Sequence, residues 1–294
     1  MKTDKINIRD PYILLYENKY YLYGTRSATC WGKADGFDCY ISEDLENWEG
    51  PAEIFKRPEG FFADQNYWAP ECISYNGAFY FITTLGAEDR KKGTYILKAD
   101  KPEGPYAVYS KRITPEDWCC IDATVYFEDE KPWLIFSHSF EDTGNGDISA
   151  LPLTADLKEA AGEPFILFYG SDAKAWAKPF PYAKEEFGKD GDVYFTDGPC
   201  LFKENGTLYM TWSSWGSCGY AVGAAVSMSG TLKGPWKQAE TPLYPENGGH
   251  GMVFKDKSGK LIFTLHEPND KYKEHPAFYD LLISDGTLRL EKIK

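Results

Sequence analysis

Apolar positions in this chain come in pairs of short runs, each pair split by a polar turn. Residues 9–26 read RDPYILLYENKYYLYGTR, with a turn at Glu17-Asn18-Lys19. The plan recurs in PECISYNGAFYFITT (70–84), DATVYFEDEKPWLIFSHS (122–139), DGPCLFKENGTLYMTWSSW (197–215) and HGMVFKDKSGKLIFTLHEP (250–268). Aromatic and β-branched runs around Asn-Gly, Ser-Gly or acidic turns predict β-hairpins. A second strand pair follows each hairpin. DCYISEDLENWEGP, GTYILKADKPEGPYAVY, DISALPLTADLKEAAGEP, GAAVSMSGTLKGPWKQ and AFYDLLISDGTLRLEKI fill that place. The unit is therefore four strands, it spans roughly 50 to 75 residues, and it occurs five times.

Tandem four-stranded units predict an all-β, five-bladed β-propeller with four antiparallel strands per blade. A β-sandwich of many short strands is the competing architecture. It does not account for the repetition of whole four-stranded units. No Pro/Ser-rich linker divides the chain, so residues 1–294 form one predicted domain. The longest interval between units, 170–193, is a predicted loop at the rim.

The hairpins convert the repeat into a map of one surface. In a propeller the first strand of each blade lines the central channel. The start of strand one and the end of strand two then emerge on the same face. At the heads of the first strands stand Asp10, Glu71, Asp122, Asp197 and His250. Aligned on the turns, Asp10 and Asp122 share an offset. Asp197 and His250 fall one residue earlier and Glu71 one later. At the ends of the second strands stand Arg26, Thr84, Ser137 with His138, Ser214 with Trp215, and His266 with Glu267. Any one of the aspartates could be an ordinary turn residue. Four carboxylates at one mouth, however, repel one another and are driven to different pKa values, as acid/base chemistry requires. Arg26, His138, Trp215 and Trp31 are further candidates for contact with a substrate.

Composition narrows the partners. A net charge of −13 argues against nucleic acid, which needs clustered Lys and Arg. No apolar run approaches a membrane span, so no membrane partner is expected. The seven cysteines are scattered without metal-ligand spacing, and zinc is not expected. The opening MKTDKINIRDPY has no apolar leader core, and with reduced thiols this predicts a cytoplasmic location. Aromatic residues make up 16% of the chain, which suits both pleated sheets and clefts that stack on sugar faces. Paired carboxylates beside aromatic platforms fit glycoside hydrolysis, with an oligosaccharide as substrate.

With these residues in place, the chain resembles glycoside hydrolase family 43. The matching pieces are Asp10-Pro11, YWAPE (67–71), CIDATVYF (120–127), TDGPCLF (196–202) and GGHGMVF (248–254), with DLENW (44–48) as the turn after a strand. The resemblance implies a five-bladed propeller with inverting arabinofuranosidase, xylosidase or arabinanase activity. It implies that Asp10 is the general base toward water and that Asp122 raises the pKa of the acid and orients it. The general-acid position falls on Asp197, where the family usually has Glu. Asp reaches roughly 1.5 Å less far, so Glu185 or Glu186 in the long loop is the fallback acid. Trp68 matches an aromatic near the sugar pocket, and Glu71 closes the YWAPE piece. His250 matches a histidine that in many members faces a hydrated calcium or other ion; a hydrogen-bonded channel histidine is the other reading. No cofactor is required.

Two rivals follow from the same residues. Five-bladed β-fructosidases are retaining and carry RDP and EC pieces, which recur here at 9–11 and at Glu71-Cys72, but in the wrong order. A catalytically weak glycan-binding propeller would explain Asp in place of Glu at position 197.

Overall fold

The computed structural model describes residues 1–293. Five sheets of four antiparallel strands follow one another along the chain, each sheet built from consecutive strands. Blade one holds β1 (Ile8–Tyr16), β2 (Lys19–Arg26), β3 (Gly36–Ser42) and β4 (Trp48–Lys56). Blade two holds β5 (Gln65–Tyr75), β6 (Ala78–Ala87), β7 (Arg90–Ala99) and β8 (Ala107–Val108). Blade three holds β9 (Cys120–Glu128), β10 (Lys131–His138), β11 (Asp147–Pro152) and β12 (Phe165–Tyr169). Blade four holds β13 (Asp197–Glu204), β14 (Thr207–Gly216), β15 (Gly219–Ser227) and β16 (Trp236–Gln238). Blade five holds β17 (Gly249–Lys255), β18 (Leu261–Glu267), β19 (His275–Ser284) and β20 (Thr287–Lys292). The five hairpins read from the sequence are the first two strands of each blade. The chain is the five-bladed β-propeller expected from the repeat.

The ring closes through its innermost strands: β1 packs on β5, β5 on β9, β9 on β13, β13 on β17, and β17 on β1. Second strands are buried on both faces because each blade is sandwiched between two others. In β6, Phe79, Phe81, Ile82 and Leu85 are all buried. Tyr23 of blade one meets Phe81 of blade two edge-on at 5.5 Å, and Phe37 stacks on Tyr67 at 5.2 Å. Such aromatic contacts at blade junctions add specific geometry to area burial.

Among the described residues no strand is exchanged between the first and last blades. Side chains close that junction instead. Arg9 forms a buried ion pair with Glu274 at 2.8 Å, and Asn7 Nδ2 donates to the Glu274 carbonyl at 2.7 Å. Ile6 and Ile8 enter an apolar cluster with Met252 and Ile262.

Candidate active site

Each innermost strand carries a bulge near its head. Pairing skips between Arg9 and Tyr12, Trp68 and Glu71, Ile121 and Thr124, Asp197 and Cys200, and Gly249 and Met252. The first bulged residue lies in the left-handed region in every blade: Asp10 (φ 53°), Ala69 (45°), Asp122 (57°), Gly198 (50°) and His250 (48°). A bulge breaks the in-out alternation and re-aims side chains. The bulged residue and the one before it therefore face the same way. Arg9 with Asp10 and Ile121 with Asp122 line one cavity, as do Trp68, Asp197 and His250.

The strained backbone is held from the preceding blade. The Ala69 N–H donates to Thr25 Oγ1 (2.8 Å), Asp122 to Thr84 Oγ1 (3.0 Å), His250 to Ser213 Oγ (2.9 Å) and Asp10 to His266 Nδ1 (3.1 Å). At the fourth blade the Gly198 N–H goes instead to the Asp122 carboxylate at 3.3 Å. These bonds offset the cost of non-glycine residues at positive φ.

The cavity has a volume of about 680 Å³ and sits over the bulges. His250 Nδ1 lies 3.4 Å from Asp10 Oδ1 and 3.4 Å from Asp122 Oδ2, so those oxygens are no farther apart than twice that distance. Thr25 donates to Asp10 Oδ2 at 2.6 Å. Tyr220, on β15, donates its hydroxyl to Asp197 Oδ2 at 3.0 Å.

The three aspartates share one site but not one charge state. Burial would raise Asp10, but the charges of His250, Arg9 and His266, with the Thr25 bond, outweigh it and hold Asp10 below the usual carboxylate range. Burial, then the Asp10 charge, pushes Asp122 up to about 8. Burial, then Asp122, pushes Asp197 up to about 7, against the pull of His250 and Tyr220. Near neutral pH the cluster thus holds one ionised carboxylate and two that carry protons part of the time.

Aromatic residues wall the cavity. Trp31 and Trp68 meet edge-on at 5.8 Å, with Arg9 over Trp31 at 5.2 Å and Lys92 over Trp68 at 4.9 Å. Trp215, Phe180 and Tyr182 line it as well, and Phe180 and Tyr182 both meet Trp215 edge-on. The 170–193 loop supplies Phe180, Tyr182 and, from a short helix (Ala183–Phe187), Glu186, so it has the rim position expected of it. Glu185 does not line the cavity.

Three candidates lie elsewhere. Thr25 faces the channel, so Arg26, next along the strand, is turned to the opposite sheet face. There it pairs with Asp38 at 2.6 Å and Asp35 at 2.9 Å. His138 follows Ser137 in the same way. It stacks on Trp118 at 4.1 Å and pairs with Asp147 at 3.1 Å. Glu71 stands two residues beyond its bulge, is buried, and does not reach the cavity; its Oε2 has no hydrogen-bond partner. Burial, with a smaller push from Asp122, raises it to about 8. The offset of His250 is corrected too: it is equivalent to Asp10, whereas Asp197 stands one position earlier as read, opposite Ser213.

Among the described residues no group of three or more His, Cys, Asp or Glu side chains is placed to hold a metal ion, and His250 Nδ1 is turned to the carboxylates. Sequence reasoning did not single out Tyr220, Arg9, Lys92 or Asn269 as site residues.

A five-bladed propeller with three aspartates and aromatic walls at one mouth defines a glycan-processing class. The family model described as "Glycosyl hydrolases family 43" matches residues 5–282. The chain belongs to this family and is a glycoside hydrolase. The crystal structure of an endo-arabinase from Bacteroides thetaiotaomicron is similar, with 35% identity, a TM-score of 0.87 and coverage of 97% of this chain and 98% of that one. An endo-1,4-beta-xylanase from the same organism follows at 27% identity, TM-score 0.76, covering 99% and 96%. An alpha-L-arabinofuranosidase from Lactobacillus brevis, at 19% identity, TM-score 0.75 and coverage of 100% and 98%, shares the fold. No curated protein sequence matches the chain.

Proposed function

We propose that this protein hydrolyses α-L-arabinofuranosidic bonds in arabinose-containing oligosaccharides, with β-xylosides as the second substrate class, and inverts the anomeric centre. The observation that carries the mechanism is the separation of charge states within one aspartate cluster. Asp10, held ionised by His250, Arg9 and the Thr25 hydrogen bond, accepts a proton from water as that water attacks the anomeric carbon. Asp197, raised to about 7, gives its proton to the leaving oxygen as the glycosidic bond breaks. Burial keeps Asp197 protonated, and Asp122, whose carboxylate accepts from the Gly198 N–H beside it, adds to this to the extent that it is ionised. Proton count is conserved over one turnover: Asp10 gains one, Asp197 loses one, and solvent resets both. The likeness to the endo-arabinase at 35% identity supports arabinose over other sugars.

Aryl α-L-arabinofuranosides, aryl β-xylosides and linear arabino-oligosaccharides test this, with wild type beside Asp10→Ala and Asp197→Ala. Loss of a general base or acid should cost roughly 10²–10⁴-fold in kcat. Activity surviving Asp10→Ala would remove its role. Product of retained configuration, followed by proton NMR, would favour the β-fructosidase-like alternative, although Glu71 lies outside the cavity. A cytoplasmic site of action is part of the proposal, supported by seven free thiols of which six are buried. Cell fractionation that places the protein outside the cytoplasm would count against it.

A further inference from the structure

The segment after β18, residues 268–274, carries polar contacts to Arg9 and His266, the neighbours of the base, that the proposed reaction does not use. Arg9 Nη1 donates to Asn269 Oδ1 at 2.9 Å and to Glu274 Oε1 at 2.8 Å. Glu274 is fully buried and also accepts from Ser27 Oγ at 2.7 Å, so Arg9 has a fixed anchor. His266 is buried as well. Its Nδ1 accepts the Asp10 N–H, which places the ring proton on Nε2. That nitrogen lies 3.3 Å from the same Asn269 Oδ1. One amide oxygen therefore receives two donors, and this settles which way the amide points. Asn269 lines the cavity, and its NH₂ finds no protein acceptor among the described residues.

We propose that Asn269 is a sugar-binding residue: its NH₂, oriented by Arg9 and His266, donates to one hydroxyl of the glycosyl unit held over Asp10. This rests on the glycosidase reading above. A donor fixed from behind discriminates strongly, because a substrate lacking the matching oxygen leaves it unpaired. Arg9 and His266 act here as positioning residues.

The test uses the aryl glycoside that wild type hydrolyses best and its monodeoxy analogues, one for each ring or exocyclic hydroxyl. Two variants are compared: Asn269→Ala, and Asn269→Asp, which keeps the oxygen for Arg9 and His266 and removes the donor. Both should lose roughly tenfold or more in kcat/KM on the parent glycoside. On one deoxy analogue alone, wild type and Asn269→Ala should be equal. Equal losses on the parent and on every analogue, or a parent loss within about twofold, overturn the proposal. If wild type hydrolyses no glycoside, the activity reading fails separately. Calorimetric titration with arabinotriose and xylotriose then decides: tighter binding by wild type than by Asn269→Asp supports the donor, and equal or absent binding overturns it.

Discussion

Replacing Tyr220 by Phe should move the alkaline limb of the pH profile upward. Tyr220 donates to Asp197 Oδ2 at 3.0 Å, and that bond favours the ionised carboxylate. Removing it raises the pKa of Asp197 further above about 7. An aspartate at the ordinary value of 3.8 would be protonated at pH 7 in fewer than about one molecule in a thousand. At about 7, Asp197 is protonated in half, and activity that needs its proton falls tenfold per pH unit above that point. One hydrogen bond to a charged group is worth about 1.5 kcal/mol or more, which is roughly one pH unit. The assay is kcat/KM for an aryl arabinofuranoside from about pH 4 to about pH 10, which reports the free enzyme. The limb should shift up by about one unit, with no acid limb from Asp10 inside this window, because its carboxyl is held below the usual range. A downward shift would refute the direction of the Tyr220 effect. No shift would transfer the limb to Asp122, which is raised to about 8 and has no contact with this hydroxyl.

Three further outcomes follow from named contacts. Glu274→Ala leaves Arg9 as a mostly buried cation without its carboxylate partner, and breaking such a pair should cost about 3–5 kcal/mol, read as a lower urea midpoint with unchanged slope. Glu71→Gln removes a carboxyl that binds its proton up to about 8 in the folded chain but only to about 4.5 when unfolded. Wild-type stability therefore falls as pH rises between those values, and the variant should lose the Glu71 share of that slope, keep the shares of Asp122 and Asp197, and be the more stable protein above pH 8; an unchanged slope would mean Glu71 is ionised in place. Gly198→Ala would put a methyl 2.8 Å from the His250 ring. The left-handed backbone and the ring contact should both lower the melting temperature, and the contact should also disturb the His250 contacts to Asp10 and Asp122.

The architecture was legible because each hairpin is marked twice, by alternation within its strands and by its turn. Units of the same kind then repeat through to β20. The site was legible only as far as strand ends could be placed. Arg26 and His138 were read as mouth residues because the second strand ends there. A one-residue difference decides between channel and opposite face, and Thr25 and Ser137 occupy the inward places. Tyr220 could have been found by the same logic. If strand two ends at the mouth, strand three begins there, and Tyr220 follows directly on Gly219 at the head of β15.

The bulges were not legible, and they explain how the site is built. Strict alternation would send Arg9 and Asp10 to opposite faces, leaving one side chain per blade for chemistry. With a left-handed residue at each head, two successive positions open on one cavity. The bulged position supplies Asp10, Asp122 and His250, and the preceding one supplies Arg9, Trp68 and Asp197. The two aspartates read as aligned, Asp10 and Asp122, are indeed equivalent and meet across His250. Asp197 belongs to the other set. It enters from one residue earlier, beside Gly198, whose N–H reaches Asp122. A carboxylate at that earlier position has a different path to the substrate from one at the bulge, so side-chain length alone does not fix its reach. Exchanging Asp197 for Glu therefore changes two things at once: the distance to the leaving oxygen and the Tyr220 bond that tunes its proton.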